Sequence, residues 1–202
     1  MKRGIIVCTS SYTHAFLQPL LESIKETPYD ILIVSNDNFT PDLSYFNRRY
    51  DIIINDWNGW EIAGIQRGKE NFAEFIFLMD TTLIKDISLF DKLFAIEGNV
   101  VLTAGNFHYQ GKFVTKELPN LPRVHDKNTA IMLETKWLDG YKYTEFEPDL
   151  KVHSDIWEEK FGQRRMRLEN EYMIKWKGTA WVSSKQYEEL MEQLKEKKID
   201  NK

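Results

Sequence analysis

The sequence predicts an α/β domain with a mostly parallel central sheet flanked by helices, and three observations lead there. Short apolar runs of three to five residues recur through the first half, each closed by polar residues. The runs are continuous instead of alternating, as in strands covered on both faces. The segment between the first two has helical spacing, and helices inserted between strands imply crossover connections. Composition agrees, since 202 residues with 42% hydrophobic and 29% charged side chains exclude wholesale disorder.

The elements follow in order. Ile5-Ile6-Val7-Cys8 reads as the first strand, ended by Thr9-Ser10-Ser11. Ala15, Phe16, Leu17, Leu20, Leu21 and Ile24 then recur at helical spacing, and Pro19 places a helix start or a bend beside it. Ile31-Leu32-Ile33-Val34 is the second strand, closed by Ser35-Asn36-Asp37-Asn38, and Ile52-Ile53-Ile54 the third. Phe75 to Met79 is the fourth, ending at Asp80, and Val100 to Thr103 the fifth. Residues 106–128 carry Gly111, Pro119 and Pro122 and read as a long loop or irregular hairpin. Thr129 to Leu133 suits a further strand and Asp155 to Phe161 a helix, while the basic Gln163 to Arg167 suits a charged helix face. Ser183 to Lys198 carries Tyr187, Leu190, Met191 and Leu194 at amphipathic spacing. The expected organisation is one domain over 1–182, in halves 1–105 and 106–182, with a C-terminal helix and tail over 183–202.

Several function classes are disfavoured. A net charge of −4, from 27 basic and 31 acidic side chains, leaves no basic footprint for nucleic acid over the whole chain. Cys8 is the one cysteine, which excludes an internal disulfide and fits a buried core thiol. No run approaches the ~20 apolar residues of a membrane-spanning helix. The opening Met1-Lys2-Arg3-Gly4 leads into an apolar segment too short for a signal peptide, so the expected location is cytoplasmic. Neither a G-x-G-x-x-G fingerprint nor a Walker sequence follows any of the strands.

In open parallel sheets, ligands bind beyond the carboxyl ends of the strands. Those ends are Thr9 to Tyr12, Ser35 to Asn38, Asp56 to Trp60 and Asp80 to Thr82, all of them polar. The same four pieces carry a family likeness. Gly4 to Tyr12, followed by a Leu-Leu-Glu-Ser-Ile helix, resembles the opening of family-2-type GT-A glycosyltransferases. Ser35-Asn36-Asp37-Asn38 is similar to the acidic turn after that family's second strand. Asn58-Gly59-Trp60 with the helix through Arg67-Gly68 resembles its Asn-x-Gly phrase, and Phe77-Leu78-Met79-Asp80 its Asp-x-Asp strand. Order and spacing match over residues 3–95 and loosely to 178.

The resemblance implies a GT-A (nucleotide-diphospho-sugar transferase) fold. It also implies transfer of a sugar from a nucleotide-sugar, UDP-linked by preference, to a hydroxyl acceptor such as a saccharide, protein, lipid or modified base. Thr9, Ser11, Tyr12, Asn36, Asp37, Asn58, Gly59, Arg67 and Asp80 are then the donor-binding residues. Asp37 or Asn36 would accept the base's ring N–H, and Tyr12 would give the base a wall. Asp80 would hold Mn²⁺ or Mg²⁺, for which carboxylate oxygens are the usual ligands. Thr81 and Thr82 stand where the family shows further acids, so metal affinity would be weak or another group would complete the shell, with His153 and Asp86 as candidates. An inverting transferase needs a general base, and the resemblance points to Asp155, then Asp149 and Glu147. At the start of a helix, Asp155 would also be favoured by the helix dipole. Trp57, Trp60 and Trp157 are candidates for sugar stacking, and Trp137 to Tyr141 for shaping the acceptor side. Two other classes compete: a nucleotidylyltransferase, and a non-catalytic domain of the same fold that binds sugar or nucleotide.

Overall fold

The computed structural model describes residues 2–11, 13–56, 59–102, 110–119, 143–146, 148–149, 151–158 and 163–178. The side chains of residues 60, 152–158, 163–166 and 177–178 lie outside that description. Strands β1 (Arg3–Thr9), β2 (Asp30–Ser35), β3 (Asp51–Ile54) and β4 (Glu74–Met79) form one half of a seven-stranded sheet. A three-residue strand, β5 (Thr82–Ile84), leaves this sheet immediately after β4. Strands β6 (Val100–Leu102), β7 (Gly111–Val114) and β8 (Thr144–Phe146) complete it, in the order β3-β2-β1-β4-β7-β6-β8. Every pairing is parallel except the two made by β7. The mostly parallel α/β sheet read from the sequence is the one observed.

Successive residues of β1 point to opposite faces, and each face has its own core. Ile5 and Val7 pack with α1 (Leu17–Ile24) and α3 (Ser88–Ala95). Ile6 and Cys8 pack on the other face with α2 (Trp60–Asn71). In α1, Leu17, Leu20, Leu21 and Ile24 are all buried. Pro19 falls in its first turn, where a missing N–H breaks no helical bond. The α2 helix lies close on β4: a Cβ on Gly64 would stand 2.4 Å from the Phe77 ring, and one on Gly68 2.4 Å from Phe75. No described helix is long and apolar enough to cross a membrane.

Several expectations are corrected. The β2–β3 connection, residues 36–50, contains no helix. The third strand is an edge, so its apolar run is not covered on both faces: Ile52 is 36% and Ile54 42% exposed. Within the polar stretch 106–128, Gly111–Val114 forms an interior strand between β4 and β6, while residues 106–109 and 120–128 lie outside the described residues. The segment expected to be helical from Asp155 is extended: β9 (Lys151–Glu158) pairs antiparallel with β10 (Gln163–Glu169). The basic segment is strand as well, with β10 paired to β11 (Met173–Gly178). The register sets charged residues of β10 opposite branched or aromatic ones, Arg164 opposite Trp157, Arg165 opposite Ile156 and Arg167 opposite Trp176, and strand pairing outweighs the weak helical pattern of these segments. The buried Asn170 turns the hairpin, its Oδ1 accepting the N–H groups of Tyr172 and Met173 at 2.8 and 2.9 Å. Residues 129–133 and 183–202, read as a strand and a helix, lie outside the described residues.

The hairpin strands and β5 make a second sheet, ordered β5-β11-β10-β9. Its register sets Thr82, Lys175, Leu168 and Val152 in one row across the four strands. Leu168, Tyr172 and Met173 bury against the core that holds α1 and α3. The turn Met79–Thr82 therefore ends the large sheet and begins the small one.

Candidate functional site

The expected strand ends do converge. Backbone bonds first bind the carboxyl ends of the central strands together: Asp80 N–H donates to Cys8 O at 2.9 Å, Asn36 N–H to Thr9 O at 3.0 Å, and Asn55 N–H to Ser35 O at 2.8 Å. On this platform Asp80 is fully buried, not solvent-exposed as a strand-end acid would be. Its Oδ2 accepts the hydroxyl of Thr9 at 2.7 Å and that of Thr13 at 2.5 Å. Its Oδ1 has no hydrogen-bond partner among the described residues. Burial pushes the Asp80 carboxyl above the ordinary carboxylate range, against the pull of the Thr13 and Thr9 hydroxyls, the Lys175 charge and the Thr81 backbone.

Lys175 is the unexpected member. Only 3% exposed, it hydrogen-bonds the Thr81 hydroxyl from β11. The neighbouring Trp176 N–H donates to Thr81 O at 3.0 Å, and the Trp176 ring meets Phe16 at 5.4 Å. Thr82 donates its hydroxyl to Gln110 Oε1 at 2.7 Å, and the same oxygen takes the Met79 N–H at 2.8 Å.

A second group lies beside the first. Asp37 and Asn38 both have left-handed backbones, with φ of 63° and 55°, a conformation that Asn and Asp tolerate best among residues with a Cβ. This turn brings Asp37 to the β1 end, where the Ser11 hydroxyl donates to its Oδ2 at 3.0 Å. Asp37 Oδ1 has no hydrogen-bond partner among the described residues. Asn36 is instead buried and committed: its Nδ2 donates to the Cys8 sulfur at 3.3 Å, and its Oδ1 accepts from Asn55 at 3.3 Å. Of the two, Asn36 is buried with both amide groups bonded, while Asp37 is half-buried with one bonded oxygen. Cys8 is the expected buried thiol, held well above its ordinary value by burial and by the charges of Glu61 and Asp80.

The other expected residues divide. Thr9 and Ser11 belong to these groups as hydroxyl donors. Gly59 is the N-cap residue of α2. Arg67 does not reach the turns; it holds Asn55 Oδ1 with two N–H groups and Glu70 with a third. Tyr12, Asn58, Trp57, Glu147 and 137–141 lie outside the described residues, as do the side chains of Trp60, His153 and Trp157. Asp86 is exposed and occupied with Ser88, whose N–H and hydroxyl it accepts at 2.9 and 2.7 Å. Asp149 is an exposed residue between β8 and β9. Asp155 sits on β9, three strands from β5, a separation of ~14 Å at ordinary strand spacing. Its helix-dipole support is gone, since no helix begins there.

Asp80 Oδ1, buried and without a hydrogen-bond partner among the described residues, is the oxygen a divalent cation would take. Mg²⁺ and Mn²⁺ want several oxygen ligands. Around Asp80 stand two hydroxyls that donate to it and one ammonium, and the described residues hold no group of three or more metal-ligating His, Cys, Asp or Glu. Sequence reading missed Thr13, Gln110, Lys175 and the buried Glu61. Thr13 lay within the polar turn and was available to it. Lys175, in a run of alternating lysines, becomes distinctive only through strand register.

No protein-family model matches the chain, and no curated protein matches it. Solved structures do. S. aureus TarS 1-349 is 16% identical with a TM-score of 0.38, over 50% of this chain and 35% of that one. A protein described as a nucleotide-diphospho-sugar transferase from Desulfovibrio desulfuricans G20 is 9% identical, TM-score 0.44, over 73% and 80%. A third, described as a glucose-1-phosphate thymidylyltransferase from Bacillus anthracis, is 12% identical, TM-score 0.47, over 73% and 87%. The chain spans about a third of the TarS segment. These are likenesses of backbone course over part of the chain.

Proposed function

We propose that this chain is a nucleotide-sugar-dependent glycosyltransferase domain, its donor bound across the carboxyl ends of β1, β2 and β4. The observation that carries the reading is Asp37. A left-handed turn and the Ser11 hydroxyl hold its carboxylate at the end of β2, and its Oδ1, buried, has no hydrogen-bond partner among the described residues, so a ring N–H seated there would satisfy it. Uracil and guanine both offer such an N–H. The ordered likeness over residues 3–95 supports a sugar-linked diphosphate as the rest of the ligand, lying toward Thr9, Thr13 and the Asp80 turn. UDP is the favoured nucleotide.

For the acceptor hydroxyl, inversion by a general base is the favoured course. Asp155 is the base the likeness points to, and its strand position requires the acceptor to lie across the small sheet. Asp155→Asn is then expected to keep donor binding and lose transfer; retained transfer would remove it from the mechanism. A lone buried Asp80 also favours a second reading, a domain that binds the nucleotide without chemistry. Release of nucleoside diphosphate from a panel of UDP- and GDP-sugars separates the two. Turnover supports the transferase, binding without turnover supports the second reading, and no interaction with any nucleotide overturns both.

A further inference from the structure

We propose that the side-chain amide of Gln110 binds an oxygen of the transferred sugar, which makes Gln110 a specificity-determining residue of the strand-end site. The proposal rests on the donor site read above and places the far end of its ligand. Gln110 lies just before β7, at the carboxyl ends of β4 and β6, where its backbone carbonyl accepts the Leu102 N–H at 2.9 Å. Its side chain turns toward β4. There Oε1 accepts the Met79 N–H at 2.8 Å and the Thr82 hydroxyl at 2.7 Å. These contacts fix which end of the amide is which, since a backbone N–H can only donate. Nε2 is left buried and without a hydrogen-bond partner among the described residues, on a residue only 2% exposed. Neither bond that holds the Met79–Thr82 turn uses it, and a buried donor is costly to leave unmade.

The order of strands says which part of the ligand carries that oxygen. Along the ligand edge Asp37 follows β2, Thr9 ends β1, Asp80 follows β4, and Gln110 precedes β7, the next strand over. β2 and β7 are three strand spacings apart, ~14 Å. A base seated at Asp37 sends its diphosphate toward Thr9, Thr13 and the Asp80 turn, and the group beyond the second phosphate is the sugar. A neutral N–H donor suits a sugar hydroxyl oxygen, and ionised Asp80 cannot play this part because it only accepts. A site that hydrogen-bonds one substrate oxygen also rejects the analogue without it, whose binding leaves the buried amide unpaired.

The test uses the whole chain, with UDP and GDP compared by calorimetry against UDP-glucose, UDP-N-acetylglucosamine and GDP-mannose. Gln110→Glu keeps an oxygen for Met79 and Thr82 and replaces the N–H donor with a second oxygen. It is expected to weaken the best-bound nucleotide-sugar by about tenfold or more, while the matching nucleoside diphosphate stays within about twofold of the parent. Equal loss for both ligands would move Gln110 to the diphosphate, and unchanged affinity for both would remove it from the site. Either result overturns the proposal while the donor site stands. A parent that binds none of the five ligands overturns the donor site and this proposal with it. A buried carboxylate also burdens folding, so a second measurement uses the parent alone. The Gln110 side-chain amide resonances, assigned by their nuclear Overhauser contact with the Met79 N–H, are expected to shift with the nucleotide-sugar and to hold their place with the nucleoside diphosphate. Shifts of equal size with the two bound ligands, or none with either, overturn the proposal.

Discussion

Arg67 holds Asn55 by two N–H groups on one carbonyl oxygen, at 3.3 and 3.0 Å. Asn55 then holds Asn36, and Asn36 reaches Cys8, so a helix on the surface is tied to the first strand through two buried amides. This chain of contacts lies under the turn that presents Asp37.

Arg67→Ala breaks its outer link and leaves the Asn55 oxygen unpaired. A loss of about 1–2 kcal/mol in urea unfolding is expected. Lysine should not restore it, since a point charge cannot make the paired contact. Unchanged stability in the Ala variant would mean the two amides hold without the guanidinium.

Asp37 offers a charged acceptor. Asp37→Asn is expected to weaken UDP binding by about tenfold, ~1.4 kcal/mol. Ser11→Ala, which frees the carboxylate without removing it, should cost less. Calorimetry on the two variants checks the order, and a larger loss for Ser11→Ala would place the recognition on the hydroxyl.

Asp80 makes stability depend on pH in an unusual direction. Its folded value is raised above the ordinary 3.8, so folding takes up a proton between the two values. Stability from this group is fully present below 3.8 and falls as pH rises through the raised value. Asp80→Asn lacks that fall. The urea midpoint of the variant relative to the parent should therefore climb from pH 4 upward and then level, whatever its offset. A difference independent of pH would show that burial leaves this carboxyl unperturbed.

Gly111 tests the interior hairpin strand. Its φ of 153° and a hypothetical Cβ only 2.0 Å from the Val100 carbonyl oxygen leave no room for a side chain. The contact is with backbone, which cannot rotate aside, so Gly111→Ala should cost about 3 kcal/mol or more. Thermal unfolding of this variant measures it.

In the first half β1, β2 and β4 were legible because they are buried on both faces and announce themselves as apolar runs. Ile5, Ile33 and Phe77 needed no partner information to be placed. Lys151 to Gly178 was opaque for the opposite reason: its strands carry charges along their length, and pairing decides their conformation. The site followed the same division. Thr9, Ser11, Asp37 and Asp80 stand at strand ends that topology makes a ligand edge. Lys175 arrives by register from 94 residues beyond its partner Thr81, and no local pattern encodes that meeting.

That late arrival sets an order of events during synthesis. Thr9, Thr13 and Asp80 leave the ribosome early and can assemble on β1 and β4, while the ammonium belongs to the last described strand. At ~5–20 residues per second, several seconds separate the two. Throughout that interval Asp80 has its hydroxyls and no countercharge, so the nascent domain completes its strand-end site only when the small sheet closes. A chain cut before Lys175 would keep the large sheet's strands and lack this charge.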